Sequence, residues 1–141
     1  MANLTEKIME ISEEVWSNLG PGYNEVVYHR AFEIGLRLKH IEYESEKVVP
    51  IFYKGHTVGH SRIDLEVCGK VVIELKAVNS ITSDAVCQIK NYMKLTGLTE
   101  GLIVNFGQPN KSGTPDLTTK WFFEGKVYDF FNGEIVNEID L

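Results

Sequence analysis

The sequence predicts an α/β/α sandwich: a central mixed β-sheet laid out helix–strand–strand–strand–helix–strand, with a C-terminal β-meander added to it. Three observations predict it. Leu4, Ile8, Ile11, Val15 and Leu19 recur at helical spacing. Between Glu42 and Lys76, β-rich runs follow one another with only tight turns between them, as in an antiparallel meander. A helical stretch then separates the last of these runs from the apolar segment Gly101–Phe106, and a helical crossover returns a strand parallel to its neighbour with right-handed sense.

The first helix, Leu4–Leu19, is stopped by Gly20-Pro21-Gly22. A second runs from about Asn24 to Lys39 with Val27, Tyr28, Ala31, Phe32, Ile34 and Leu38 as its apolar arc. Glu25 falls at the border of that arc, and two readings stand: a solvent-facing acid favoured by the helix dipole, or an inward acid. The first strand lies within Glu42–Phe52, Lys54-Gly55 makes a turn, and the second strand covers about Thr57–Val67. His56 and His60 have H-x3-H spacing. On a strand that spacing gives no shared ligand geometry and no cysteine or third histidine joins them, so both read as solvated strand-edge residues.

The stretch Arg62–Lys76 organises the chain. Ile63, Leu65 and Val67 are expected on one face with Arg62, Asp64 and Glu66 on the other, and a turn containing Gly69 leads into Val71–Ile73, apolar throughout like a strand buried on both faces. Glu74 and Lys76 follow on one face. A buried carboxylate and ammonium are costly unless paired or bound to something. The hairpin can bring Asp64 beside them, and a divalent cation relieves the repulsion of two adjacent carboxylates. Spacing alone leaves open a metal site with a neighbouring lysine and an edge strand carrying a surface ion pair. Asn79–Asp84 supplies helix-capping chemistry for a helix ending near Thr96 before Gly97, with Ala85, Val86, Ile89, Tyr92, Met93 and Leu95 as its apolar arc. Gln88 is expected inside that arc, where its amide needs partners: a backbone carbonyl, or a phosphate, water or lysine at the end of the Glu74 strand.

The chain has 141 residues with 43% hydrophobic content, enough for one domain with a real core. That core is expected over about residues 4–107, with an extension over 114–141. No membrane-spanning run or secretory signal is visible, and Cys68 and Cys87 show no metal-ligand spacing. A reduced, intracellular protein is the expected setting. A formal net charge of −6 excludes a strongly basic polyanion binder, so any nucleic-acid contact must use a local patch or a cation.

Gly22-Tyr23-Asn24-Glu25-Val26-Val27-Tyr28 resembles the signature of the GxxExxY proteins, a family of the PD-(D/E)XK nuclease superfamily with a restriction-endonuclease-like fold. Arg62-Ile63-Asp64-Leu65, Glu74-Leu75-Lys76, Gln88–Tyr92 and Gly101–Phe106 match the motifs that follow it, in the same order. The resemblance covers roughly residues 4–107. It implies a nucleic-acid phosphodiesterase of DNA processing or repair, dependent on Mg²⁺ or Mn²⁺. Asp64, Glu74 and Glu25 would be the metal-binding acids and Lys76 the charge stabiliser; Gln88 would join the catalytic set, with Tyr28, Tyr92 and Arg62 in support. Hard oxygen donors suit such a cation and not zinc. Ile63 stands where the superfamily usually has proline, and Thr114–Leu141 has no counterpart in the motifs. The competing reading is a noncatalytic nucleic-acid- or protein-binding module that keeps the fold.

The tail reads as three strands, Trp121–Phe123, Lys126–Phe131 and Glu134–Ile139, with turns at Glu124-Gly125 and Asn132-Gly133. Trp121 and Phe123 are expected opposite Phe122, and Tyr128 and Phe130 opposite Phe131. These strands extend the sheet or bury a face in a homodimer; a base-stacking surface is the other reading.

Overall fold

The computed structural model describes residues 3–107, 117–131 and 134–140. Helices α1 (Leu4–Leu19) and α2 (Glu25–Leu38) precede β1 (Tyr43–Tyr53), β2 (His56–Val67) and β3 (Val71–Lys76). Helix α3 (Ser83–Thr96) then leads to β4 (Glu100–Asn105), β5 (Thr118–Phe123), β6 (Lys126–Phe131) and β7 (Glu134–Asp140). All seven strands form one sheet in chain order. Only β3 and β4 run parallel, joined through α3, and every other neighbouring pair is antiparallel. The expected mixed α/β architecture is therefore observed, and the tail strands extend the sheet. The Asn132-Gly133 turn and the side chain of Phe131 lie outside the described residues.

The helices divide between the two faces. Ile8, Ile11 and Val15 of α1 and Tyr28, Phe32 and Leu36 of α2 pack on Leu65, Val67, Ile73, Leu75, Leu102 and Val104. On the other face, Ala85, Ile89 and Tyr92 of α3 cover Ile63, Val72, Ile103, Phe122 and Val127. β3 and β4 lie between both layers, which is why Val71–Leu75 and Gly101–Asn105 are buried without interruption.

Each helix begins with a side-chain cap: Asn3 accepts from Glu6 N, Asn24 from Val27 N and Thr82 from Ala85 N. The buried stripe of α2 is Tyr28–Phe32–Leu36, one residue per turn. Ile34 and Leu38, expected in the arc, are exposed, because they lie on the flank that no other element covers.

The expected face of β2 is also corrected. Ile63 packs on the α3 side, whereas Leu65 and Val67 pack on the α1–α2 side. Asp64 opens toward α2, whereas Glu66 bonds Tyr92 of α3. The alternation breaks opposite Glu46, whose φ of +53° interrupts the ladder between the Ser45–Leu65 and Lys47–Ile63 pairs.

Close approach of α1 to α2 depends on Gly35, where an added Cβ would lie 2.6 Å from Cγ2 of the fully buried Ile11. Helix propensity alone favours alanine at such a position by about 1 kcal/mol, but overpacking a rigid core costs roughly 1–3 kcal/mol. Gly35→Ala is therefore expected to lower stability by about 1 kcal/mol in urea unfolding. A stabilised variant would show that the two helices have room to separate.

Candidate active site

The site is built where β2 and β3 part. Their main-chain ladder runs Val67–Val71, Glu66–Val72, Leu65–Ile73 and stops. Beyond that point β2 stays paired with β1 and β3 with β4. Two side chains bridge the fork. Asp64 N donates to Glu74 Oε1 at 2.9 Å, and Leu75 N donates to Asp64 Oδ2 at 2.7 Å. Each carboxylate takes the place of a carbonyl the ladder no longer offers, so neither amide is orphaned.

One oxygen of each acid remains outside this exchange. Glu74 Oε2 lies 3.7 Å from Lys76 Nζ, and Asp64 Oδ1 lies 4.0 Å from His29 Nδ1. Glu74 is only 4% exposed. Burial, then the nearby charge of Asp64, push its carboxyl up to about 7, with Glu25 adding to the rise; the amide of Asp64 and the Lys76 ammonium pull the other way. An acid so placed gains from a nearby cation.

A cleft of about 360 Å³ opens over this fork, walled by α2 and by the bases of β1 and β2. Glu25, His29 and Glu33 line it from α2, Ser45 and Glu46 from β1, and Arg62, Asp64 and Leu75 from the fork. Glu25 thus faces the same cleft as Asp64. Its placement explains the Gly22–Tyr28 stretch physically. Gly22 takes φ +110°, Asn24 caps the helix, and the buried Tyr28 hydroxyl donates to Gly20 O at 2.7 Å and accepts from Tyr23 N. The Tyr28 ring stacks on Phe106 at 4.3 Å. Tyr28 therefore pins the α1–α2 connection and sets where Glu25 emerges.

Tyr92 and Gln88 part company. Tyr92 is buried and donates to Glu66 Oε2 at 2.7 Å, while Lys47 Nζ lies 3.0 Å from Glu66 Oε1. Burial and that bond raise the Tyr92 hydroxyl, and the Glu66 bond raises Lys47. This polar triad, with Tyr92 and Glu66 buried and Lys47 half-buried, lies on the α3 side of the sheet, away from the cleft. Gln88 is exposed, not enclosed as expected; its amide reaches Arg62 O at a long 3.5 Å. Leu95, its neighbour on the helix surface, is exposed as well, so that flank of α3 has no cover. Arg62 is exposed and pairs with Glu46 at 2.9 Å. His56 and His60 are exposed on β2, and both cysteines are free and exposed.

Two residues outside the sequence-based set shape the site. His29 is bonded to Ser45 Oγ at 2.8 Å and lies 3.5 Å from Glu33. Its only sequence signal is the Glu25–His29–Glu33 recurrence at four-residue spacing. Asn105, buried at the end of β4, accepts from Val78 N and Gly107 N and donates to Val78 O, which holds the chain leaving Lys76.

The sequence profile of the PD-(D/E)XK nuclease superfamily matches residues 2–115, and the chain belongs to that superfamily. Membership points to a nuclease, and nucleases of this superfamily generally use a divalent metal ion. Among curated proteins none matches the sequence. A similar solved structure is that of SSO0001, with a TM-score of 0.51 at 19% identity, over 72% of this chain and 50% of the other. The chain therefore spans half of that protein, and at that identity the likeness concerns the fold. No helix among the described residues is long and apolar enough to cross a membrane.

The donor set fits a hard cation in kind: carboxylate oxygens of Asp64 and Glu74, with no thiolate near them. Among the described residues no three His, Cys, Asp or Glu are already gathered as an ion-binding group. Glu25 lines the wall above the pair of acids that the fork holds together.

The raised Glu74 carboxyl makes stability pH-dependent. Without metal, its folded value is about 7 against an ordinary 4.5, so the folded state holds the proton more tightly. The contribution is fully present below pH 4.5 and is lost as pH rises through about 7, roughly 3 kcal/mol at most. In EDTA, Glu74→Gln is expected to melt near the unmutated protein at pH 5 and above it at pH 8. A gap independent of pH would mean that Glu74 ionises in the fold without cost.

Proposed function

We propose that this chain is a Mg²⁺- or Mn²⁺-dependent nuclease of the GxxExxY branch, hydrolysing the phosphodiester backbone of DNA. The observation that carries this reading is the reciprocal bonding of Asp64 and Glu74 across the β2–β3 fork, with Lys76 beside Glu74. The exchange orients both acids and leaves one oxygen of each for a cation. Glu25, on the wall of the same cleft, would complete the ligand set. A bound cation would polarise the scissile phosphate and acidify the attacking water.

In this reading the protein's own groups divide the work. Asp64 and Glu74 bind and orient; Lys76 offsets the negative charge that grows on the phosphate in the transition state. Tyr28 and Asn105 are positioning residues, holding Glu25 and the segment after Lys76. Gln88 and Tyr92 support β2 from the α3 side, and Arg62 contacts substrate at the cleft mouth. The whole chain acts as one domain inside the cell, with DNA as its partner. The C-terminal strands build the edge of the sheet, where a homodimer would form.

Metal and turnover separate the roles. Asp64→Ala removes a ligand and is expected to weaken Mn²⁺ binding in calorimetry. Lys76→Ala should leave Mn²⁺ binding nearly intact and lower the cleavage rate by about 10²–10³, with little change in substrate affinity. Mn²⁺ binding without cleavage across a broad panel of DNA and RNA structures would replace the nuclease with a noncatalytic binding module. Equal loss of Mn²⁺ affinity in both variants would make Lys76 a structural partner of the acids.

A further inference from the structure

The β1–β2 hairpin is longer than the core needs. Beyond the Lys47–Ile63 pair it continues through Tyr53 and His56, closed by Lys54-Gly55 with φ values of +48° and +81°, as a two-residue turn of the primed kind requires. Its two faces differ. Lys47, Val49, Ile51, Gly59 and Ser61 are half-buried, and Val49 packs with the α3 layer. Val48, Pro50, Phe52, His60 and Arg62 alternate with them and are exposed.

Cross-strand pairing puts Val48 beside Arg62 and Pro50 beside His60, with Phe52 next along β1. These form one track about 13 Å long from Val48 to Phe52. Its inner end is Arg62, which lines the candidate cleft together with Glu46 and Asp64. An outward strand face that meets only water is normally polar. Here Val48 is 52% exposed and Phe52 61% exposed.

Charge selects the occupant. The chain carries 20 acids and a net charge of −6, yet residues 47–63 hold Lys47, Lys54, Arg62 and two histidines with no aspartate or glutamate. It is the longest acid-free run in the sequence. On the face of the strip itself the charged group is Arg62, paired with the exposed Glu46 at its inner end, with His60 beside Pro50, while Lys47 is engaged by Glu66 on the other face. An exposed apolar and aromatic strip that ends on such a cation suits bases with exposed faces and a phosphate backbone. Paired bases hide those faces in the stack, so the strip favours unpaired nucleotides.

We infer that the Arg62–His60–Phe52 face of the hairpin is a track for single-stranded nucleic acid that feeds the Asp64–Glu74 cleft. This rests on the nuclease reading for what happens at the inner end, but binding along the track does not require cleavage. Phe52 stacks on a base, Val48 and Pro50 give the strand an apolar floor, and His60 and Arg62 face its phosphates. The Arg62–Glu46 pair is exposed and weak, so Arg62 is available for this exchange.

The test uses the full chain in EDTA, with a fluorescent oligothymidine and a blunt duplex of matched length as probes. Phe52→Ala is expected to weaken oligothymidine binding by about tenfold, the loss of one stacked base. Tyr53→Ala, also exposed but on the opposite face of the strand, should change it less than twofold, and Val48→Glu should weaken it as Phe52→Ala does. Circular dichroism checks that the variants fold. Equal binding by Phe52→Ala and the unmutated protein overturns the track, whether or not the protein cleaves. A loss confined to duplex binding also overturns it. Sedimentation supplies the remaining outcome: a dimer that Phe52→Ala converts to monomer, with oligothymidine binding unchanged, makes the face a contact between copies and overturns the proposal. If the unmutated protein, assayed separately with Mn²⁺, cleaves nothing but Phe52→Ala loses oligothymidine in EDTA, the track stands and the nuclease reading alone fails.

Discussion

Two main-chain amides decide the architecture of the site. Once β2 leaves β3 after Leu65, the amides of Asp64 and Leu75 have no carbonyl opposite them. Leaving a buried amide unpaired costs about 1–3 kcal/mol. Glu74 and Asp64 meet that need reciprocally, at 2.9 and 2.7 Å. Because each carboxylate accepts from an amide of the opposing strand, the two acids are locked at a set spacing by the backbone itself. Pre-positioning of this kind is what a reactive centre needs. The fork is thus a structural joint and the frame of the cleft together.

Holding the fork open requires support on both faces. On one side Tyr28 stacks on Phe106 and fastens the α1–α2 connection, so α2 leans over the gap with Glu25, His29 and Glu33 directed into it. On the other side Tyr92, Glu66 and Lys47 form a satisfied polar triad beneath β1 and β2, which ties the hairpin base to α3. A half-satisfied network there would destabilise the fold more than apolar packing would improve it. At the fork the strained residue is Glu46, a non-glycine residue at φ +53° opposite Asp64, where the chain changes which face its side chains address.

The sequence made the scaffold legible for a physical reason: each long element has a single, simple environment. The α1 stripe meets one layer, β3 is covered on both faces, and the tight turns carry glycine. Boundaries for α1, β3 and β6 come out as expected. What periodicity could not show depends on neighbours distant in the chain. Leu36, not Ile34 or Leu38, is buried because the sheet lies under that flank of α2. Ile63 and Leu65 separate to opposite layers because Glu46, across the sheet, breaks the ladder. Gln88 sits on an apolar arc by wheel geometry yet is exposed, since nothing covers its end of α3. Among the site residues, Asp64, Glu74 and Lys76 are conspicuous as charges at the end of an apolar strand. His29 is not, because a histidine on an amphipathic helix says nothing until Ser45 is brought across to it.

The acidity of the chain then takes on a spatial meaning. A single net charge averages over a molecule wider than the Debye length of about 8–10 Å at ordinary salt, so distant surface acids count little at a given contact. Glu6, Glu10, Glu13 and Glu14 all ride on α1, which packs over Leu102, Val104 and the strands beyond, while residues 47–63 extend acid-free from the cleft. Acids at the cleft itself, Glu25, Glu33, Glu46 and Asp64, repel a phosphate until a cation neutralises them. The uneven distribution favours approach along the hairpin and resists entry at the centre. In the proposed metal-dependent reading, a divalent ion would reverse that resistance and so tie substrate entry to metal occupancy through charge alone.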